Sequence, residues 1–369
     1  MAKRNTVISI CKALAIILMV MGHTEGPGGV IHFIYLFHMP VFFICAGYFF
    51  STKYLQEPWR FVEKRFKGLY VPFLKWALFF LVIHNLMFSI GILNEQFGNW
   101  ENGVTHPYGV RVFLQRLFNI VFAMGGYDEF LAGAFWFFRA LLITSLVFLA
   151  AYLLLYNRHR RLTHTVTTAT IAVVALAVAW VKIYYGLTIP NVVQGGIREC
   201  WGVFFFAFGW FYRLHEQRFR EHWLLTLGYA ALLVAACFFP THGMILNPKP
   251  YDVATLPVTG VAGFLMLHHV SRWLDGHDGP VKRFLTFCGD NTLCIFVFHV
   301  CAFKIVSAVK VWYYGLPWGM IGCHMVVHEH AATDAFFLLY TLVGVAVPLL
   351  WISGYRRLKV SKTAQGAKA

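Results

Sequence analysis

The sequence predicts an all-α, polytopic membrane protein with about ten transmembrane helices. Of its 369 residues, 59% are hydrophobic and only 13% are charged, whereas soluble domains are about 45–50% apolar and about 25% charged. The mean hydropathy is +0.62. The apolar runs are continuous, as in membrane helices of roughly 20 residues, and do not alternate as in a β-barrel. This composition excludes an ordinary soluble enzyme and a disordered chain.

Ten apolar runs are candidate spans, in two of which the signal is weaker. The sixth run is short, and the eighth contains Pro257, Gly260 and Gly263. Two further segments, 54–69 and 110–124, are apolar on one side only, which predicts helices lying in the membrane interface. The ten predicted spans are about 6–22, 31–50, 70–92, 133–156, 164–185, 197–212, 223–240, 252–270, 290–308 and 334–354.

The distribution of lysine and arginine predicts the orientation of these spans. With the N-terminus in the cytoplasm, 21 of the 31 basic residues fall in cytoplasmic segments, five fall outside and five lie within spans. This bias favours cytoplasmic positions for both termini. The net charge of +15 is spread over separate short loops, so we expect no nucleic-acid partner. We expect residues 1–369 to form a single transmembrane domain with no appended soluble domain.

The first span contains two ionisable residues. We interpret this span as a retained helix because it lacks a signal-peptide cleavage site. Lys12 and His23 are eleven residues apart. Eleven helical steps of 100° end about 20° from the starting direction, so both side chains lie on one face, about 16.5 Å apart along the axis. Each residue alone is compatible with an interfacial position, but the shared face favours a polar path through the membrane.

Two further histidines within predicted spans are candidates for the same site. His38 falls in the second span and His299 in the ninth. One buried histidine is usually a packing residue, but two of them together with Lys12 and His23 indicate a shared polar cavity. A histidine is the natural general base near neutral pH.

A basic segment precedes the third span at its cytoplasmic end. It contains Lys64, Arg65 and Lys67 and is followed by Pro72. These cations are compatible with a topology signal that contacts lipid headgroups, or with a docking site for a phosphorylated cytoplasmic molecule.

In these residues the chain resembles the acyltransferase-3 family of bacterial integral-membrane O-acyltransferases, along its whole length in outline. Five segments carry the resemblance in the family's order. They are KALAIILMVMGH (12–23), FHMPVFFICAGY (37–48), KRFKGLYVP (64–72), FWFFRALL (135–142) and GDNTLCIFVFH (289–299).

Three positions depart from the family's pattern. Ala46 stands where the family usually has serine, and Gly68 stands where a second basic residue is usual, so that Lys67 is the candidate substitute. Ser9 occupies the position of an acid that the family often has three residues before the basic residue of span one.

The resemblance implies transfer of an acyl group, usually acetyl, from cytoplasmic acetyl-CoA to a hydroxyl of an extracytoplasmic or lipid-linked glycan, without a metal, in the bacterial cytoplasmic (inner) membrane. It implies His23 as the catalytic base, with Lys12 deeper on the same face. Glu25, two residues after His23, is a weaker candidate for orienting the imidazole or holding the sugar. Arg65, with Lys64 or Lys67, is the expected site of the CoA phosphates. The candidates for lining the cavity are His38, Trp136, Arg139, Asn291 and His299.

Two other interpretations remain open from the sequence. His324 and His328 would share a helix face, near Glu329, His330 and Asp334, and zinc accepts such ligands. A transporter or flippase for a glycan or small molecule is the alternative to an enzyme, because intramembrane charges and prolines also mark transport pathways.

Overall fold

The computed structural model describes residues 5–98, 105–158, 162–190, 192–331 and 333–366, and all regular structure within these ranges is helical. The α-helices are α1 Thr6–Gly22, α2 Gly28–Tyr35, α3 His38–Tyr48, α4 Lys53–Gln56, α5 Pro58–Arg65, α6 Val71–Ser89, α7 Val110–Ala123, α8 Glu129–Ala132, α9 Trp136–Arg158, α10 His164–Tyr184, α11 Ile197–His215, α12 Trp223–Ala236, α13 Asp252–Asp275, α14 Pro280–Asp290, α15 Thr292–Tyr314 and α16 Phe336–Gly366.

The predicted all-helical membrane fold is confirmed, and each of the ten predicted spans coincides with a helix or a pair of helices. Within the described residues, seven helical segments are long and apolar enough to cross a membrane. One of them is α13, the weak eighth span. Two further apolar helices, α1 and α12, are shorter, with 17 and 14 residues. The chain is therefore a multi-pass membrane protein.

The second span is divided between α2 and α3 by a break at Leu36 and Phe37. Pro40 has no N–H, so it cannot donate to the carbonyl of Leu36. The Thr259 hydroxyl of α13 lies 3.3 Å from that carbonyl oxygen and 3.1 Å from the Thr255 carbonyl oxygen of its own helix, so it can donate to either. Because of this break, His38 begins a new helix in the middle of the span.

The third span differs from its prediction at the cytoplasmic side. The predicted separate interfacial helix over 54–69 is wrong in its extent, because α5 continues through a π-helical turn, Phe66–Tyr70, into α6. The helical segment from Pro58 to Ser89 has 32 residues and is continuous. Lys64, Arg65 and Lys67 therefore belong to the same continuous helix as the third span. The predicted amphipathic helix over 110–124 is present as α7.

Helices α3 and α11 approach each other closely because each contributes a glycine at the crossing. A Cβ on Gly47 would fall on the carbonyl oxygen of Phe206, and a Cβ on Gly209 would fall on the carbonyl oxygen of Ile44. Small residues that let two backbones approach in this way are typical of helix packing in membranes. This contact fixes α3, and with it His38, against α11.

Two ion pairs between charged side chains are buried among the helices. Arg139 of α9 and Glu199 of α11 form an ion pair at 3.2 Å with both side chains buried. Lys310 of α15 pairs with Asp334 at 2.9 Å, just before α16. Because an unpaired charge in this environment is costly, these pairs specify which helices are neighbours.

Candidate active site

His23 and His299 form the centre of the candidate site. His23 is the residue that ends α1, and His299 projects from α15. The distance between His23 Nδ1 and His299 Nε2 is 3.0 Å. The ring centroids are 5.2 Å apart and the planes differ by 20°, so the two rings meet edge to edge. The first and ninth predicted spans thus meet at these two histidines.

The surroundings of His299 determine which nitrogen carries each proton. His299 Nδ1 lies 2.9 Å from the carbonyl oxygen of Phe296 and 3.2 Å from that of Ile295. A carbonyl only accepts, so Nδ1 carries the hydrogen and the neutral ring presents Nε2 as an acceptor. His23 Nδ1–H must then be the donor to His299. The remaining nitrogen of His23, Nε2, keeps its lone pair, which is the state that a general base requires.

A cavity of about 160 Å³ adjoins this pair. Its polar lining residues are His23, Tyr35, His38 and Arg198, and Trp136 forms part of the apolar lining. His38 Nδ1 lies 2.8 Å from the carbonyl oxygen of Ile34, so its Nε2 is also an acceptor. The cavity therefore combines two lone-pair nitrogens with one cation. The two nitrogens can accept a hydrogen bond from a hydroxyl, and the cation can stabilise a developing negative charge.

Arg198 is a functional candidate that sequence reasoning missed. Its guanidinium carbon lies 3.9 Å from the centroid of the Trp136 ring, and its Nε donates to the Met244 carbonyl at 3.0 Å. These contacts hold a cation at the wall of the cavity. In the sequence Arg198 is one of the five basic residues placed outside, at the start of the sixth predicted span, and its contacts with Trp136 and Met244 are visible only in the fold.

A second, apolar cavity of about 190 Å³ extends from the first toward the basic segment. Both cavities are lined by Met19, Met39 and Phe296. The second is also lined by Gly68 and Leu69 of the π-helical turn. The two cavities share these three lining residues and lie in succession between His23 and the turn that follows Arg65.

The three predicted phosphate-binding cations differ in their surroundings. Arg65 is half-buried, its guanidinium lies over the Phe61 ring, and one of its N–H groups donates to the Ala46 carbonyl at 3.3 Å. Lys64 and Lys67 are exposed; Lys64 contacts the Tyr54 hydroxyl, and Lys67 pairs with Glu63 at 2.5 Å. Of the three, Arg65 lies nearest to the protein interior.

The other two predicted catalytic residues lie apart from the histidine pair. Lys12 is half-buried and continues the stripe of Ile16, Met19 and His23 along α1, but it lines neither cavity. Glu25 is exposed, and its Oε1 lies 3.5 Å from His328 Nδ1. The hydrogen bond with His328 lowers the pKa of the Glu25 carboxyl below its ordinary value. The contact that orients His23 therefore comes from His299 and not from Glu25.

Two of the predicted cavity residues occupy supporting positions. Arg139 is paired with Glu199, next to Arg198 in α11, and does not line the cavity. Asn291 joins α14 to α15, where its Oδ1 accepts from Arg356 at 2.7 Å. Like Arg139, Asn291 lines neither cavity. It stabilises the junction at the start of α15, about two helical turns before His299.

The histidine-rich segment does not assemble into a ligand cluster in the described part of the chain. There, no group of three or more His, Cys, Asp or Glu residues is placed to hold a metal ion. The His324 ring makes an edge-to-face contact with the Phe130 ring. His328 contacts Glu25, and His330 lies against the Tyr314 ring.

A comparison with known families identifies the chain. The family model of the acyltransferase-3 domain, described as an acyltransferase domain, matches residues 5–355. The chain belongs to the acyltransferase-3 family. No curated protein and no solved structure matched the chain. Family membership and the helical fold together make this protein a membrane acyltransferase.

Proposed function

We propose that this acyltransferase moves an acetyl group from cytoplasmic acetyl-CoA to a hydroxyl of an extracytoplasmic or lipid-linked glycan, in a bacterial cytoplasmic membrane and without a metal. The observation that carries the proposal is the His23–His299 pair beside two adjoining cavities, which we take as one passage from the turn after Arg65 to His23. The passage is apolar between two polar ends, which suits a thioester whose charged nucleotide stays outside.

The donor enters from the basic end. The CoA phosphates bind Arg65, which uses one N–H in its contact with Ala46 and has five in its guanidinium. Lys64 and Lys67 add positive charge at the exposed surface. The pantetheine arm follows the apolar cavity past Gly68 and brings the thioester toward His23.

The acceptor hydroxyl reacts in the smaller cavity. His23 Nε2 takes the hydroxyl proton while the oxygen attacks the thioester carbonyl, and a tetrahedral oxyanion forms. The carbon–sulfur bond then breaks, the ester remains on the glycan, and the thiolate of CoA receives the proton from the His23 imidazolium. Arg198 is the cation available for the oxyanion, and a positioned donor of this kind is typically worth about 10²–10³-fold in rate.

The substitution His23→Ala tests the proposal. A positioned base contributes about 10²–10⁴-fold, so transfer of labelled acetyl from acetyl-CoA into the glycan fraction of membranes should fall by that order. Acetyl-CoA binding to the purified variant should persist, because the phosphates bind at the other end of the passage. His277→Ala, at an exposed histidine remote from the cavity, is the control. Near-normal transfer by His23→Ala, at equal protein amount, rejects His23 as the base.

A further inference from the structure

A larger cavity lies beside the candidate active site, on the same side of the membrane by the predicted topology. Its volume is about 580 Å³, and it is formed by the end of α10, the start of α11 and the segment 246–249. Small-molecule sites commonly have volumes of about 300–1,000 Å³. The cavity thus has room for a saccharide unit and not only for a single ion.

This cavity and the cavity at His23 are separated by one layer of protein. Ile197 lines the outer cavity and Arg198 lines the inner one; likewise, Leu246 lines the outer cavity and Ile245 the inner one. A saccharide bound in the outer cavity would therefore lie next to the wall of the cavity at His23.

The charged residues that line the outer cavity are both basic. Lys182 is half-buried, and its ammonium donates to the Leu187 carbonyl. Lys249 is exposed and its side chain forms no ion pair within the described residues. None of the described lining residues is Asp or Glu. The nearby Asp252 carboxylate is buried and already accepts from the Lys249 backbone N–H and from His242, so it faces away from a ligand.

We propose that this outer cavity binds an acidic group, a carboxylate or a phosphate, of the acceptor saccharide, and thereby selects acidic glycans. This inference rests on the proposed transfer to a glycan and adds the class of acceptor. Lys182 and Lys249 attract the anion as point charges, and Arg198 continues the positive lining toward His23. The other large outer cavity, of about 760 Å³, is lined by Glu329 as well as by histidines, so it is the poorer anion site.

The test measures saccharide binding to the purified full-length protein in phosphatidylcholine nanodiscs. The probes are a hyaluronan tetrasaccharide and a phosphorylated mannose trisaccharide, each beside its uncharged counterpart. At least one acidic probe should bind about tenfold more tightly than its counterpart, and this preference should weaken at high ionic strength. The double variant Lys182→Gln, Lys249→Gln should lose the preference. Arg111→Gln, which removes an exposed cation outside the cavity, should keep it.

The variant His23→Ala and a change of lipid separate failure of this inference from failure of the proposed function. His23→Ala should lose acetyl transfer and retain the preference for the acidic probe. If neither acidic probe binds better than its uncharged counterpart, the inference is overturned while the proposed acetyl transfer stands. If the lysine substitutions act only in phosphatidylglycerol nanodiscs, the cavity binds lipid headgroups and the inference is also overturned. The wild-type protein could also prefer the acidic probe, in a way that depends on the two lysines, and yet transfer no acetyl. That result supports the binding site and rejects the proposed function.

Discussion

The contact between His23 and His299 leads to a quantitative prediction for the variant His299→Phe. Phenylalanine has a similar shape but offers no acceptor to His23 Nδ1–H. The lost partner leaves a buried donor unsatisfied, which costs about 1–3 kcal/mol, and it frees the imidazole to adopt the other tautomer. Since 1.36 kcal/mol corresponds to tenfold in rate, we expect kcat to fall by roughly 10- to 100-fold.

The assay is the release of CoA from acetyl-CoA by the purified protein, with incorporation of labelled acetyl into glycan as a second readout. The KM for acetyl-CoA should stay near the wild-type value, because His299 lies behind His23 and lines neither cavity. His299→Gln, whose amide oxygen can take the place of Nε2, should recover part of the rate.

The double variant His23→Ala, His299→Phe decides whether His299 acts through His23. If it does, the second substitution should add almost nothing to the first, because residues that act as a unit are strongly non-additive. Rate losses that multiply in the double variant, or a His299→Phe enzyme with normal kcat, would refute the positioning role.

Three other substitutions examine the passage, the helix contact and the outer segment. Gly68→Trp should block the apolar passage and raise the KM for acetyl-CoA at least tenfold, whereas Gly68→Ala, whose Cβ meets nothing within 4 Å, should behave as wild type. Gly47→Ala drives a methyl group into the Phe206 carbonyl; by thermal unfolding in detergent we expect a loss of about 1–3 kcal/mol, and Gly68→Ala is the control. Burial lowers the pKa of His324, outside the membrane-spanning helices, to about 4, from an ordinary value of about 6.5. The unfolded chain therefore takes up this proton first as the pH falls below 6.5, and folding stability should decrease by about 2 kcal/mol at pH 5. His324→Gln should reduce the fall in Tm between about pH 7 and pH 5, and His277→Gln should leave it unchanged.

Much of the fold follows from features that are local in the sequence. Hydrophobic runs of membrane length and the distribution of lysine and arginine depend on composition alone, and they predicted helices at each of the ten positions. The contact made at the break before His38 is not local, because Leu36 and Thr259 are 223 residues apart. The continuity of α5 with α6 likewise depends on a π-helical turn that no simple periodicity indicates.

The candidate site was predictable where a residue type is rare in its surroundings. Histidines in apolar spans stand out, so His23, His38 and His299 were found from sequence. Arg198 did not stand out, because arginine is ordinary at the end of a span. The partner of Glu25 was also hidden, since His328 approaches it from a segment about 300 residues away. Pairings of this kind are fixed by the packing of distant helices.

The choice of a histidine as the partner of His23 has a physical consequence for catalysis. A carboxylate there would carry a charge into an apolar site, at a considerable desolvation cost. His299 is neutral, and its Nδ1–H is fixed on backbone carbonyls, so its Nε2 remains an acceptor throughout the reaction. In the proposed reaction His23 takes the hydroxyl proton, so its Nδ1–H would become a charged donor, and hydrogen bonds with a charged partner are roughly twice as strong as neutral ones. The contact is therefore stronger in the transition state than in the resting enzyme, which is the condition under which an interaction accelerates the chemical step.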